Sequence, residues 1–264
     1  MRFTKMHGLG NDYIFLNCMD GMPDDLPGLS RRLSHRHFGV GGDGIICVCP
    51  SKRADFQMRM FNADGSEGAM CGNGIRCFGK YVHDKGLTDK RHLTIETGAG
   101  ERELSLILEN GAVTGAAAGM GVPVLWDAVP LVLDGRTYTA IPVSMGNPHV
   151  VMEADDPAAL DLEILGPLAE QNPAFPGRMN AEFIRVLNRR ELQMRVWERG
   201  SGETMACGTG ACASACAMMA AGKLDREAAV HLAGGDLSVR WDEKSGQMFM
   251  TGPAVTVFDG ETAD

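Results

Sequence analysis

An α+β fold built from two similar halves is what this sequence predicts, on three observations. Strand-like and helix-like segments are mixed without the regular strand–helix alternation of a doubly wound sheet. Short motifs recur at one fixed offset. The 264 residues, 44% hydrophobic and 22% charged, have a globular composition and enough length for one large domain or two ordinary ones.

The elements follow from local pattern. Residues 1–6 and 13–17 read as short strands around a turn at Gly8 and Gly10. Residues 29–37 have helical spacing and stop at the glycines of 39–44. Strands are expected at 45–48 and 56–61, the second alternating Phe56, Met58, Met60 against Gln57, Arg59, Phe61. Residues 74–82 predict a helix that opens just after Cys71-Gly72-Asn73-Gly74, and 93–95, 101–108 and 113–117 predict strands. The small, glycine-containing stretch 116–123 marks the domain boundary. It divides the chain into residues 1–116 and 117–264, with the last few residues able to return to the N-terminal half. In the second half, Asp134-Gly135 signals a hairpin between 131–133 and 137–143. Helices are expected at 157–170 and 211–221, and strands at 183–186, at 192–197 and from there to Phe258.

The repeat brackets the chemistry. Cys71-Gly72-Asn73-Gly74 matches Cys207-Gly208-Thr209-Gly210 at an offset of 136 residues (207 − 71). The same offset takes Gly10-Asn11 to Gly146-Asn147 and Glu67 to Glu203. Two similar halves facing each other would make a pseudo-symmetric site, each half giving a strand, a glycine turn, a cysteine and a helix start. Duplication for stability alone, with the cysteines as buried filler, is the plainer alternative.

Paired thiols suit inversion of a carbon centre. A proton must leave one face and another arrive on the opposite face, so one group acts as base while the other acts as acid. A free thiol titrates at about 8.5, and a helix N-terminus favours the thiolate. Cys71 and Cys207 both stand at predicted helix starts. The glycines let a ligand approach the backbone. Amides of Gly72, Asn73, Gly208 and Thr209 could then hold a carboxylate and stabilise charge as the α-carbon is deprotonated.

With these motifs the chain resembles the diaminopimelate epimerases over nearly its whole length. The resemblance is carried by Gly8-Leu9-Gly10-Asn11-Asp12-Tyr13 and by Phe61-Asn62-Ala63-Asp64-Gly65-Ser66-Glu67 running into Cys71-Gly72-Asn73-Gly74-Ile75-Arg76-Cys77. It continues at Met145-Gly146-Asn147-Pro148-His149, Asn180-Ala181-Glu182-Phe183, Trp197-Glu198-Arg199-Gly200-Ser201-Gly202-Glu203-Thr204 and Ala206-Cys207-Gly208-Thr209-Gly210-Ala211. It implies conversion of LL-2,6-diaminopimelate to the meso form without pyridoxal phosphate, in lysine and peptidoglycan precursor synthesis. In that direction the residue matching Cys207 accepts the proton and the one matching Cys71 donates it. Asn11, Asn62, Asn147, Asn180 and Arg199 match substrate-holding side chains; Glu198 and His149 match residues beside the reacting centre that support catalysis, Glu198 also touching substrate. Gly72, Asn73, Gly208 and Thr209 match the carboxylate-binding backbone. The resemblance also implies a homodimer and two domains, each with β-structure, sheet or barrel, wrapped around a central helix. Some members carry glutamine after the Gly-Asp of the 39–43 motif; here Gly44 stands there, and no side-chain contact is expected.

The remaining signals set limits. A net charge of −9 argues against a nucleic-acid partner. Neither a secretory signal nor a run of about 18 apolar residues is visible, so no membrane partner and a cytoplasmic location are expected. The eight cysteines are then reduced thiols. Cys47-Val48-Cys49 near His35 and His37 lacks the second pair of a structural zinc site, and an alternating strand would make both cysteines small core residues. Cys77, Cys212 and Cys216 fall within helices and read as packing. The 39–44 glycines have neither dinucleotide nor P-loop spacing. No metal and no cofactor are expected. Four asparagines and Arg199 fit a doubly zwitterionic substrate, although a lone asparagine is commonly a turn or cap residue. A racemase of histidine, proline or hydroxyproline on the same scaffold, a thiol redox protein cycling Cys71 and Cys207, and a non-enzymatic binding module are the competing readings.

Overall fold

A computed structural model of the chain describes residues 1–175 and 177–263. By internal contacts it divides into two units, Met1–Ala118 with Thr251–Asp264, and Gly119–Met250.

In the first unit, β1 (Arg2–Gly8) and β2 (Asn11–Asn17) form an antiparallel hairpin. Its turn puts Leu9 and Gly10 at positive φ, 58° and 85°, a conformation that glycine adopts without strain. Helix α1 (Leu26–Ser34) follows, capped by Asp25, whose carboxylate accepts from the Gly28 amide. Its start lies earlier than the pattern suggested, because Asp25 and Pro27 are an N-cap and a first-turn proline. Then come β3 (Gly44–Cys49), β4 (Phe56–Asn62), the short β5 (Glu67–Gly68), α2 (Gly72–Asp84), β6 (His92–Thr97), β7 (Gly100–Glu109) and β8 (Ala112–Gly121). Strand β3 pairs parallel with β2 and antiparallel with β4, and β4 pairs parallel with β6. Cys47 and Cys49 are core residues of β3, in one cluster with Cys18, Ile14, Leu29 and Leu33.

The chain enters the second unit within β8. There β9 (Val124–Leu125), β10 (Val129–Leu133), β11 (Arg136–Ser144) and β12 (Pro148–Glu153) precede α3 (Leu162–Glu170). The expected single helix over 157–170 is split. Asp156 caps a 3-10 turn at Pro157–Ala159, and Asp161 caps α3 afresh. Next are β13 (Asn180–Asn188), β14 (Glu191–Glu198), β15 (Gly202–Glu203), α4 (Gly208–Ala220), β16 (Glu227–Leu232), β17 (Gly235–Trp241) and β18 (Met248–Pro253), within which the chain returns to the first unit. The last strand, β19 (Val255–Glu261), pairs antiparallel with β1.

The repeat extends far beyond the motifs. An offset of 136 carries Gly72–Asp84 onto Gly208–Ala220 and Leu26–Ser34 onto Leu162–Glu170, residue for residue. The pairing pattern repeats too: β12 is parallel to β13, β13 antiparallel to β14, and β14 parallel to β16. Each unit packs its strands against one long helix, α2 or α4. Helix α4 is buried on all sides, so its residues from Ala211 to Ala217 are Ala, Cys or Ser throughout. Small side chains let strand backbones approach a helix from every direction. In α2 the same constraint appears at Gly79, where a Cβ would lie 2.3 Å from Leu104 Cδ2. The fold is thus mixed α+β. Among the described residues, no helix is long and apolar enough to cross a membrane.

Candidate active site

Both motif cysteines are helix N-caps. Cys71 caps α2 with φ −128° and ψ 121°, and Cys207 caps α4 with φ −120° and ψ 111°. Each sulfur accepts from the amide three residues on, Gly74 at 3.3 Å and Gly210 at 3.4 Å. The amides of Gly72, Asn73, Gly208 and Thr209 open the first turns, where a helix offers no carbonyl of its own. The helices begin earlier than the pattern suggested because glycine, a poor helix former, is favourable in these first turns when a capping group and a close approach require it.

In the first unit the Cys71 thiol donates to Asn11 Oδ1 at 3.2 Å. Asn11 Nδ2 donates to Asp43 Oδ2 at 2.7 Å, and the Asp12 amide donates to the same oxygen at 3.0 Å. Asp43 is held by Arg36, which also grips Asp12 at 2.9 Å, and buried Lys5 completes the cluster on Asp12. Burial pushes the Asp12 carboxyl up, but Arg36 and Lys5 outweigh it and hold the group below its ordinary range. The buried Tyr13 hydroxyl lies within hydrogen-bonding reach of Cys71 and Asn11; burial, then the Cys71 charge, push it far above the ordinary phenol value. Asn73 is buried and its Oδ1 accepts from Arg76 at 3.0 Å.

In the second unit Cys207 lies among ionisable groups. His149 and Glu182 are completely buried, with Nδ1 and Oε1 2.7 Å apart. His149 Nε2 is 3.1 Å from Asn147 Oδ1, Asn147 Nδ2 is 3.3 Å from Thr209 Oγ1, and Thr209 Oγ1 is 3.5 Å from Cys207 Sγ. Glu198, at the end of β14, accepts from Thr204 Oγ1 at 2.6 Å and reaches Cys207; burial raises its carboxyl pKa. Burial, then the charges of Glu198 and Glu182, push the Cys207 thiol well above its ordinary value. This corrects the expectation that a helix start alone lowers it. The Gly210 amide does act in that direction, but two carboxylates in a dry site act against it more strongly.

The other expected residues divide. Asn180 is buried and joins the Arg199 loop to β12: its Oδ1 accepts from the Arg199 amide at 2.9 Å and its Nδ2 donates to Pro148 O at 2.8 Å. The Arg199 side chain is exposed and donates to the Gly177 carbonyl at 3.2 Å. Asn62 closes its own turn, donating to Ser66 Oγ at 3.0 Å, and makes no contact with Cys71 among the bonds of the described residues. A side chain at Gly44 would set its Cβ 2.1 Å from the Phe61 carbonyl, so this position is glycine for backbone reasons.

Sequence reasoning gave no role to Glu182, Tyr13 or Asp43. The repeat held the signal: Tyr13 is the mate of His149 (149 − 13 = 136), and Glu182 stands where the first unit has Ile46. A carboxylate replacing a core isoleucine one strand from a histidine invites a buried pair.

Comparison with known proteins identifies the family. The family model described as diaminopimelate epimerase matches residues 3–126 and 141–257. A diaminopimelate epimerase of Moorella thermoacetica is 51% identical, over 99% of each chain. Those of Acetivibrio thermocellus and Methanococcus maripaludis are 48% and 47% identical over 99% of this chain, covering 98% and 99% of theirs. Among solved structures, a predicted epimerase from Pseudomonas aeruginosa superposes with a TM-score of 0.74 at 17% identity, covering 100% of this chain and 99% of its own. A probable proline racemase from Agrobacterium radiobacter does so with 0.72 at 15%, covering 99% and 92%. Those two likenesses bear on the fold alone. Sequence identity near one half over the full length, with both Cys-Gly-x-Gly helix starts in place, places this chain in the diaminopimelate epimerase family.

Proposed function

We propose that the protein converts LL-2,6-diaminopimelate to the meso isomer, without a cofactor or metal, using Cys71 and Cys207 as the acid–base pair. The observation that carries this reading is the pair of N-capping thiols in nearly identical backbone conformations, one per repeat, in a chain whose full-length relatives bear that activity's name. Cys207, as thiolate, removes the α-proton of the LL centre; Cys71, as thiol, supplies one to the opposite face, and the roles exchange in reverse. The first-turn amides of α2 and α4 take the α-carboxylate and stabilise charge as the carbon is deprotonated. Glu198 and His149 sit at the Cys207 end and govern its proton. Asn11 orients Cys71, Asn147 reaches Cys207 through Thr209, and Asn180 sets the backbone of Arg199, whose exposed guanidinium meets a substrate carboxylate. Asn62 contributes from its turn.

We read the units as two repeats that each deliver one thiol, the protein as a homodimer, and its location as the cytoplasm, where thiols stay reduced. Product feeds lysine and peptidoglycan precursor synthesis. The test is incubation with LL-diaminopimelate in heavy water, without pyridoxal phosphate. Meso product carrying deuterium at one α-carbon supports the reading. Activity only with added pyridoxal phosphate, or exchange only with proline or histidine, contradicts it.

A further inference from the structure

The four contacts that lead from Glu182 to Cys207 form an unbroken chain: Glu182 Oε1 to His149 Nδ1, His149 Nε2 to Asn147, Asn147 to Thr209 Oγ1, and Thr209 Oγ1 to Cys207 Sγ. Its members differ in what they can do. Glu182 as carboxylate only accepts, an amide has one accepting and one donating end, and a hydroxyl donates one proton while accepting others. The direction of every bond is therefore linked to the next.

Two arrangements satisfy the whole chain. In the first, His149 is protonated on both nitrogens. Nδ1–H donates to Glu182, Nε2–H to Asn147 Oδ1, Asn147 Nδ2–H to Thr209 Oγ1, and the Thr209 hydroxyl to Cys207 Sγ. The sulfur is then an acceptor, which suits a thiolate. In the second, Nε2 carries no proton. The Asn147 amide is turned over, so that Nδ2–H donates to Nε2 and Oδ1 accepts the Thr209 hydroxyl. Thr209 Oγ1 then accepts the S–H of Cys207. Turning an amide over exchanges its oxygen and nitrogen in place, so the same heavy-atom distances serve both states.

We propose that Asn147 is a two-position switch that ties the proton on His149 to the proton on Cys207, with Glu182 as the positioning residue that makes the imidazolium state accessible. The balance is simple: Cys207 Sγ loses one proton, His149 Nε2 gains one, and no other group changes charge. The proton itself does not pass through the amide; the chain fixes which end bears it. Among the described residues, the charged and titratable groups facing this site are Glu182 on β13, Glu198 on β14, His149 on β12 and Cys207 at the start of α4.

The first unit shows the contrast. Asn11 donates to Asp43, which only accepts, so overturning Asn11 would press its oxygen against a carboxylate oxygen 2.7 Å away. Asn11 has one orientation and always presents Oδ1 to Cys71.

This inference rests on the two-thiol reading for its importance in turnover, but its test needs no substrate, so either can fail alone. The full chain is labelled with [3-13C]cysteine, and the Cys207 Cβ resonance, assigned by its loss in Cys207→Ser, is titrated in wild type and in Glu182→Gln. Removing a nearby negative charge through space alone would lower the Cys207 midpoint. The switch predicts the opposite, a rise of roughly one pH unit, because the imidazolium that supports the thiolate loses its partner. In Thr209→Val, which cuts the chain, the Glu182→Gln effect should reverse to a fall. A fall in Glu182→Gln with Thr209 intact overturns the proposal. If Glu182→Gln fails to fold, 15N titration of His149 decides. Its midpoint should respond to Cys207→Ser with Thr209 present and not in Thr209→Val; equal responses in both backgrounds would overturn the switch.

Discussion

Asn11 and Asn147 occupy the same place in two copies of one motif, 136 residues apart, and each addresses the N-capping cysteine region of its own unit. Their surroundings have diverged. Around Cys71 the repeat kept Tyr13, Ile46 and Asn62, which are neutral; around Cys207 the equivalent positions became His149, Glu182 and Glu198. The first unit keeps its carboxylates in a cluster of Asp12 and Asp43 with Lys5 and Arg36, where they lock Asn11, and sets the buried Arg76 on Gly72 O and Asn73. The second places its carboxylates around the thiol itself, with His149 and Glu182 fully buried and Glu198 partly so. A duplicated scaffold thus supplies two equivalent sulfur positions, and the residues one strand away give them different charged surroundings.

The largest stability effect expected from this contrast is at the buried pair. Glu182→Ile, which copies Ile46, leaves His149 without its partner and should cost about 3–5 kcal/mol, read as a fall in urea midpoint. Adding His149→Tyr copies Tyr13 and should recover most of that loss, since replacing both partners with uncharged residues leaves no unpaired buried charge. The double variant should remain inactive. A single variant as stable as wild type would remove the buried pair from the account.

A smaller effect separates two glycines. A Cβ at Gly210 would stand 2.7 Å from Glu182 Oε1, and one at Gly74 would stand 2.6 Å from Ile46 Cδ1. The isoleucine methyl can rotate away, whereas Glu182 is pinned by His149. Gly210→Ala should therefore cost about 1–3 kcal/mol and Gly74→Ala distinctly less, by the same urea titration.

Acid and alkali should also divide the units. The Asp12 carboxyl is depressed in the fold, so the stability it gives is present above its ordinary value of 3.8 and lost as pH falls through the lower folded value. The Cys207 thiol is raised, so its contribution is complete below the ordinary 9.0 and declines as pH climbs beyond it. Asp12→Asn should flatten the acid limb of a stability–pH curve and Cys207→Ala the alkaline limb, each leaving the other limb in place. The half-buried Arg59, on Glu67 at 2.8 Å, should matter least, about 1 kcal/mol or less for Arg59→Met; its mate Arg195, on Glu203 at 2.7 Å, also donates to the carbonyls of Pro157 and Leu160, so Arg195→Met should cost more.

Much of this arrangement is written openly in the chain. The repeat announced two units, the glycines after each cysteine lay at the helix starts, and the small residues of 211–221 read as a helix, whose burial only the structure shows. What stayed hidden depends on neighbours distant in sequence. The two caps at Asp156 and Asp161 split a stretch that its pattern presents as a single helix. Glu182 sits in a strand of otherwise core residues and finds His149 across a parallel pairing that places β12 beside β13. The upward push on the Cys207 thiol follows from that pairing and from Glu198, neither of which helix polarity alone could foretell.

The two-thiol claim is tested most directly by the single-cysteine variants in heavy water. With Cys71→Ala, Cys207 should still draw the α-proton from LL-diaminopimelate and return deuterium to the same face, giving labelled LL isomer and no meso product. With Cys207→Ala, the meso isomer should be the one that exchanges, again without inversion. Meso product formed from LL substrate at anything near the wild-type rate by either variant would contradict the account.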